Sequence, residues 1–287
     1  MNRINLLLLL IMILCFVWAI SNLRFGPFNI GVGEVIAKEN KNHINSQGIA
    51  ITVIYDNYLF KTGLKTSWGF SCVVQGTEKT ILFDTGSNGS ILLSNMEKLE
   101  IDPQEIDLIV LSHIHGDHVG GLDDFLEQNA EVDVYLPQSF PHHLKEKVRN
   151  YGAKIFEVQE NTKIIENTYS TGVLGRGMKE QALIVQTEKG VIVITGCAHP
   201  GIVDIVKKAK NLLKEDVLLV MGGFHLMGQS QGSIEKIISQ FRNLGVRFVG
   251  PCHCSGDLTR ELFQKEYAEN YINIGVGKVI YYNELSE

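Results

Sequence analysis

Leu111-Ser112-His113-Ile114-His115-Gly116-Asp117-His118-Val119-Gly120-Gly121 places three imidazoles and a carboxylate within one short loop. The loop follows the apolar run Asp107-Leu108-Ile109-Val110-Leu111, which reads as a buried strand that ends where the histidines begin. Neutral imidazole nitrogens and a carboxylate are donors that zinc accepts, as do iron and manganese, so the stretch reads as a divalent-metal site. In an extended backbone, side chains two apart point the same way, which lets His113 and His115 grip one ion. Gly116 can take turn dihedrals that reverse the chain, so Asp117 and His118 can face a second ion beside the first. One loop thereby seeds two adjacent metal sites and sets what the rest of the chain must supply.

Each ion needs roughly four donors, so further ligands must come from later in the chain. His199 lies just beyond the apolar run Val191-Ile192-Val193-Ile194, in a segment stiffened by Gly196, Pro200 and Gly201. His253 follows Arg247-Phe248-Val249-Gly250 in the same manner. Both repeat the geometry of the first motif, a buried strand that delivers a histidine at its end, and both are candidate ligands. His225, in Gly222-Gly223-Phe224-His225-Leu226, also follows an apolar run, at residues 217–221. Its apolar flanks suit a neutral imidazole able to give or take a proton, so its expected role is catalytic. Cys252-His253-Cys254 is too closely spaced for a relaxed disulfide; its thiols read either as apolar packing or as a pair able to bind soft metal or act in redox chemistry.

With Phe83-Asp84-Thr85-Gly86 upstream, the His-x-His-x-Asp-His motif resembles the metallo-β-lactamase superfamily, and the resemblance extends over residues 48–287. It implies an α/β fold, a four-layer αββα sandwich with a mono- or binuclear metal site at one edge of two sheets. Four further segments look like the branch named for dihydropterin-aminobenzene ribofuranosyl phosphate synthase. They are Gln181-Ala182-Leu183-Ile184-Val185, Thr195-Gly196-Cys197-Ala198-His199-Pro200-Gly201, Gly222-Gly223-Phe224-His225-Leu226 and Pro251-Cys252-His253-Cys254-Ser255-Gly256. The resemblance also implies that Asp84 supports the metal loop through hydrogen bonds to its ligands. The chain departs from the branch where Ser67-Trp68-Gly69-Phe70-Ser71 replaces Glu-His-Gly-like residues and where Gly116 replaces an aromatic, which implies a smaller, more polar entrance. Many superfamily members carry a bridging Asp near the end of the strand that here runs into Thr195-Gly196-Cys197-Ala198-His199. Either Cys197 supplies a thiolate there or His199 takes the position alone.

The N-terminus carries a different signal. After Arg3, residues 6–20 contain no charge, Gly or Pro. Fifteen residues rise only about 22 Å as a helix against a bilayer core of roughly 30 Å, which suits a signal peptide better than a full span. Residues 1–23 are expected to be a signal peptide or membrane anchor, 24–47 a linker and 48–287 the catalytic domain. The catalytic domain is then exported or membrane-anchored outside the cytoplasm, with membrane contact only through the N-terminal segment.

The 287-residue chain is 45% hydrophobic, enough for a sizeable core, and carries a net charge of −6. Its one basic cluster, Lys207-Lys208-Ala209-Lys210, fits the solvated face of a helix. Nucleic-acid binding, which needs basic surface to neutralise phosphates, gains no support. Strands are predicted at residues 49–55, 70–75, 80–84, 107–111, 132–136, 154–158, 183–187, 191–195, 217–221 and 248–251, and helices at 90–99, 122–128, 139–151 and 202–213. The sequence therefore predicts an enzyme holding one or two zinc ions, or iron or manganese, by His113, His115, Asp117, His118, His199 and His253. Asp117 and His225 are its catalytic groups, and its substrate is a small ester, lactone, thioester or phosphoester. The alternatives are a dihydropterin-type condensation and a metal-binding or ligand-sensing protein with little turnover.

Overall fold

In the computed structural model, which describes residues 48–285, the first half of the chain lays down six strands in order. They are β1 (Ala50–Tyr55), β2 (Ser71–Gln75), β3 (Ile81–Phe83), β4 (Leu108–Val110), β5 (Asp133–Pro137) and β6 (Lys154–Val158). Pairing is antiparallel from β1 to β3 and parallel from β3 to β6. The second sheet takes β7 (Thr162–Ile165), β8 (Thr168–Ser170), β9 (Leu183–Thr187), β10 (Gly190–Thr195), β11 (Val217–Gly223) and β12 (Phe248–Cys252). It runs antiparallel from β7 to β10 and parallel from β10 to β12. β13 (Val279–Tyr281) returns to the first sheet and pairs antiparallel with β1, Ala50 opposite Tyr281.

Period-two alternation sorts each strand's residues between two faces. Ile51, Val53, Cys72, Val74, Ile81, Phe83, Leu108 and Val110 meet Leu183, Val185, Ile192, Ile194, Leu219 and Met221 between the sheets. Helices follow the strands: α1 (Gly89–Lys98), the one-turn α2 (Gly116–Val119), α3 (Leu122–Gln128), α4 (His142–Tyr151), α5 (Ile202–Leu213), α6 (Gln231–Asn243) and α7 (Asp257–Tyr267). α1 starts where the Asn88 side chain accepts a hydrogen bond from Ile91 N at 3.0 Å, a standard N-cap. On the outer face of the first sheet, Ile54, Val73, Leu82, Ile109 and Val134 pack under Leu92 and Met96 of α1, Phe125 and Leu126 of α3 and Val148 of α4. On the outer face of the second, Ile184, Val193, Val220 and Val249 pack under Ile205 and Val206 of α5, Ile234 and Phe241 of α6 and Phe263 of α7. Three apolar layers between four structural layers make the αββα sandwich, each buried aliphatic or aromatic side chain stabilising it by about 1.5–3 kcal/mol.

The predicted elements omit β7, β8, β13, the one-turn α2, α6 and α7. β8 and β13 span three residues and β7 four, and unlike the equally short β3 and β4, which are buried throughout, each includes partly exposed positions, so no continuous buried run marks them. α7 buries only Thr259, Phe263 and Tyr267, one residue per turn and a half-polar stripe at that. The loops that carry chemistry follow β3, β4, β10, β11 and β12, at the carboxyl ends of parallel strands, where open α/β sheets place their ligand sites.

The predicted signal or anchor at residues 1–23 and the linker at 24–47 lie outside the described residues. Among the described residues no helix is long and apolar enough to cross a membrane. The longest of them, α6, has 13 residues and rises about 20 Å, short of a bilayer core of roughly 30 Å. The expectation of a transmembrane protein is corrected to that extent: the described domain has no membrane-spanning helix, and neither a signal peptide nor export is supported.

Candidate metal centre

The loop after β4 and the loop after β10 bring three imidazoles together edge to face, with interplanar angles of 71–82°. His113 Nε2 lies 3.1 Å from His115 Nδ1, and His199 Nε2 lies 3.2 Å from the same nitrogen. Three neutral rings cannot satisfy one another at a shared point, because each has a single N–H and His113 already turns Nδ1 to Ser112 Oγ at 2.9 Å. Burial, reinforced by the neighbouring rings, pushes the His113 imidazole far below its ordinary range, and His199 is pushed down to about 4 by the same cause. Both therefore stand neutral at ordinary pH, the form that binds metal.

Beside this trio, Asp117, His118, Cys197 and His253 form a second group whose donor atoms all lie within 4.8 Å of one another. His118 Nδ1 lies 2.7 Å from Asp84 Oδ2, so its N–H donates to that carboxylate and leaves Nε2 toward Cys197 Sγ at 3.2 Å and Asp117 Oδ2 at 3.6 Å. His253 Nδ1 lies 3.0 Å from Asn57 Oδ1, which turns its Nε2 inward. That Nε2 is buried 3.2 Å from Asp117 Oδ2 and lacks a properly aligned hydrogen bond. A buried nitrogen aimed at a carboxylate without a bond to it, within a set of imidazole, carboxylate and thiol donors, fits a divalent cation of the zinc or iron kind. The rings of His113 and His118, one from each group, are 4.2 Å apart between centroids. All six sequence-predicted ligands thus meet at one place. His142 and His143 do not; they lie exposed on α4, His142 beside Glu146.

The supports are as specific as the donors. Asp84 is fully buried, and besides His118 it accepts from Ser112 N and Ser112 Oγ, each at 2.7 Å. Gly196 lets this knot close, since a Cβ there would sit 2.1 Å from Ser112 Oγ. Glu180, absent from the predicted site, is buried and takes the amides of Cys197, Ala198 and His199 at 2.8–2.9 Å, fixing the loop after β10. Burial leaves its carboxyl raised against the pull of those three amides. Asp84, Ala198, His225 and His253 all have positive φ, between 49° and 61°. Strained backbone at four strand ends facing one point is the pattern of a preorganised site.

His225 departs from expectation. Its ring is exposed rather than held in an apolar pocket, and a hydrogen bond with Cys254 raises its pKa. It lies beside His199, centroids 4.3 Å apart. The Cys254 thiol is drawn down to about 4 by its hydrogen bonding with Cys197, while the Cys197 thiol is pushed up.

The mouth is open but not uniformly polar. A Cβ on Gly116 would meet nothing within 4 Å. Across it Trp68, 46% exposed, sets its ring 4.8 Å from that of His253. Gly69 permits this, because a Cβ there would lie 2.5 Å from Asp117 O, so the Trp68 segment packs directly on the metal loop. On the far side a cleft of about 780 Å³ runs from His199 to Arg176. The Arg176 guanidinium has no ion pair or hydrogen bond among the described residues.

Behind His253, Asp56 is fully buried, and burial raises its carboxyl to about 6. A raised carboxyl pKa means that the folded state favours the protonated form, so ionisation costs stability between the unfolded value near 4 and the folded value near 6. The stability of Asp56→Asn relative to wild type, measured by urea unfolding of the metal-free proteins, should therefore rise between pH 4 and 6 and level off above. A difference flat across that range would show that Asp56 ionises freely.

The metallo-beta-lactamase superfamily model matches residues 69–207. The 7,8-dihydropterin-6-methyl-4-(beta-D-ribofuranosyl)-aminobenzene-5'-phosphate synthase of Methanocaldococcus jannaschii is 32% identical over 250 residues, covering 71% of this chain and 85% of that enzyme. Ribonuclease Z of Nanoarchaeum equitans is 35% identical over only 83 residues, 27% of this chain and 25% of that protein, so the likeness is confined to one segment. Among solved structures, Tm1679, a metal-dependent hydrolase of the beta-lactamase superfamily, is 30% identical with a TM-score of 0.68, covering 81% of this chain and 98% of that one. Identity sustained across nearly the whole of an enzyme and of a structural relative, on the same sandwich, makes this chain an enzyme of the metallo-β-lactamase superfamily.

Proposed function

We propose that the protein hydrolyses a small ester, lactone, thioester or phosphoester with two zinc ions, one held by His113, His115 and His199 and the other by Asp117, His118 and His253. The observation that carries this reading is the pair of donor groups, one of three donors and one of four, lying side by side at an open mouth. Ions bound there supply Lewis acidity, which lowers the pKa of water toward neutrality and polarises a scissile carbonyl or phosphoryl oxygen. Asp117 directs Oδ2 toward His118 Nε2 and His253 Nε2, where all three would hold the second ion, and uses its other oxygen to orient the attacking water. His225, exposed and raised in pKa by Cys254, gives its proton to the leaving group. Arg176 at the far end of the cleft favours a substrate with an anionic group, and Trp68 offers a flat apolar face beside His253.

A second reading is condensation of a dihydropterin with an aminobenzene ribosyl phosphate, supported by the name of the Methanocaldococcus relative. Metal analysis of protein purified without added metal, coupled to a panel of ester, lactone, thioester and phosphoester substrates and to the condensation assay, separates the two. With two equivalents of zinc, His199→Ala should lose bound metal, whereas His225→Ala should keep both ions and lose about 10²-fold or more in turnover. Equal metal loss in both variants would make His225 a ligand of the pair and end its role as proton donor.

A further inference from the structure

Nine donors lie around the mouth, and the two zinc ions proposed above use only six of them. The other three are Cys197, His225 and Cys254, whose donor atoms also lie within 4.8 Å of one another. Each stands two residues beyond the end of its strand: Cys197 after β10, His225 after β11 and Cys254 after β12. These strands are consecutive, parallel neighbours in the second sheet, so equal offsets bring the three side chains together over one point of its edge.

The loops are fastened in that arrangement. Phe224 N donates to Ser255 Oγ at 3.0 Å and Met227 N to Cys254 O at 3.2 Å, which ties the His225 turn to the Cys254 turn. The Glu180 carboxylate holds the Cys197 turn. Gly223 makes room for the sulfur, because a Cβ there would lie 2.7 Å from Cys254 Sγ. His225 has φ +55°, which fixes the ring's direction at a backbone cost.

We propose that Cys197, His225 and Cys254 form a third metal site, for a thiophilic d¹⁰ ion such as zinc, next to the pair. Two sulfurs and one imidazole are the donors such an ion prefers over water and carboxylate. The site takes Cys197 without dismantling its neighbour, since Asp117, His118 and His253 remain for the second ion. Both cysteines are almost wholly buried and His225 is exposed, so the ion has an entry path on one side only. Occupation also engages the imidazole assigned above to proton transfer. The expected drop in turnover on filling the third site rests on that assignment, whereas the binding itself does not.

Equilibrium dialysis of the full chain against zinc, followed by elemental analysis, tests the site, with cadmium as the optical probe. Wild type should saturate at three ions per chain and Cys254→Ser and His225→Gln at two. The cadmium–thiolate charge-transfer band should shrink in Cys254→Ser. His225 is exposed, so His225→Gln tests the site even where Cys254→Ser folds poorly. Saturation of wild type at two ions, or three ions retained in His225→Gln, would overturn the site. A third ion that binds with unchanged turnover would leave the site standing and remove His225 from the hydrolytic mechanism.

Discussion

Loaded with two equivalents of zinc, Asp117→Ala should lose one of the two ions and more than about 100-fold in turnover, because removal of partners one step behind a metal ligand already costs 10–100-fold. The variant is informative because Asp117 is only partly buried, with a side chain 19% exposed, so the fold does not depend on it. Its Oδ2 sits between His118 Nε2 and His253 Nε2. Burial pushes its carboxyl up, but the His253 contact and the charges of the two imidazoles prevail and hold it well below the ordinary range. The residue is thus an anion at every working pH. Asp117→Asn should restore the shape but not the turnover. Elemental analysis and steady-state rates at saturating substrate check both, and an alanine variant with full metal and full rate would exclude Asp117 from the site.

Asp84→Ala acts from behind the metal and should damage stability as well. It strips His118 Nδ1, Ser112 N and Ser112 Oγ of their acceptor in a fully buried place. Breaking a buried charged contact by removing one partner costs about 3–5 kcal/mol. In a domain of this size that lowers the melting temperature by roughly 6–20 °C. Zinc affinity should fall about 10–100-fold besides, since the His118 ring loses the bond that sets its tautomer and direction. Calorimetry of the metal-free protein isolates the first effect and competition with a chelator the second. A melting temperature within about 2 °C of wild type, roughly the shift of 1 kcal/mol, would show that the Asp84 knot does not hold the loop.

How much of this was legible in advance follows from how local each signal is. The runs at Leu122–Gln128, Lys154–Val158, Leu183–Thr187 and Ile202–Leu213 match their predicted bounds because their periodicity is complete within the segment. β13 has only three residues and exists through its pairing with β1, at the far end of the described chain, which no local pattern records. The metal loop could be read for the same reason as the best helices, since its donors are neighbours in sequence. His199 and His253 could be read because a buried strand announces each of them. Glu180, Asn57 and Trp68 carry no such mark. A single carboxylate in Met178-Lys179-Glu180-Gln181 looks like surface until its three amide partners are known. The apolar pocket expected around His225 from Phe224 and Leu226 was wrong, because those neighbours point into the outer core and leave the ring outside.

The sequence by itself determined the metal chemistry, through one loop whose donor types and spacing admit few other uses, and it indicated the sandwich through the resemblance of that loop and its companion segments to the metallo-β-lactamase superfamily, with which the order of strand-like and helix-like runs agrees. Tertiary structure alone decided how the donors are shared. His199 joins His113 and His115, and His253 joins Asp117 and His118, because of which strand ends lie opposite the metal loop. Cys197 meets His225 and Cys254 because β10, β11 and β12 are parallel neighbours in register. Register and strand order are set by packing between residues far apart in the chain, so they are written in no single segment of it.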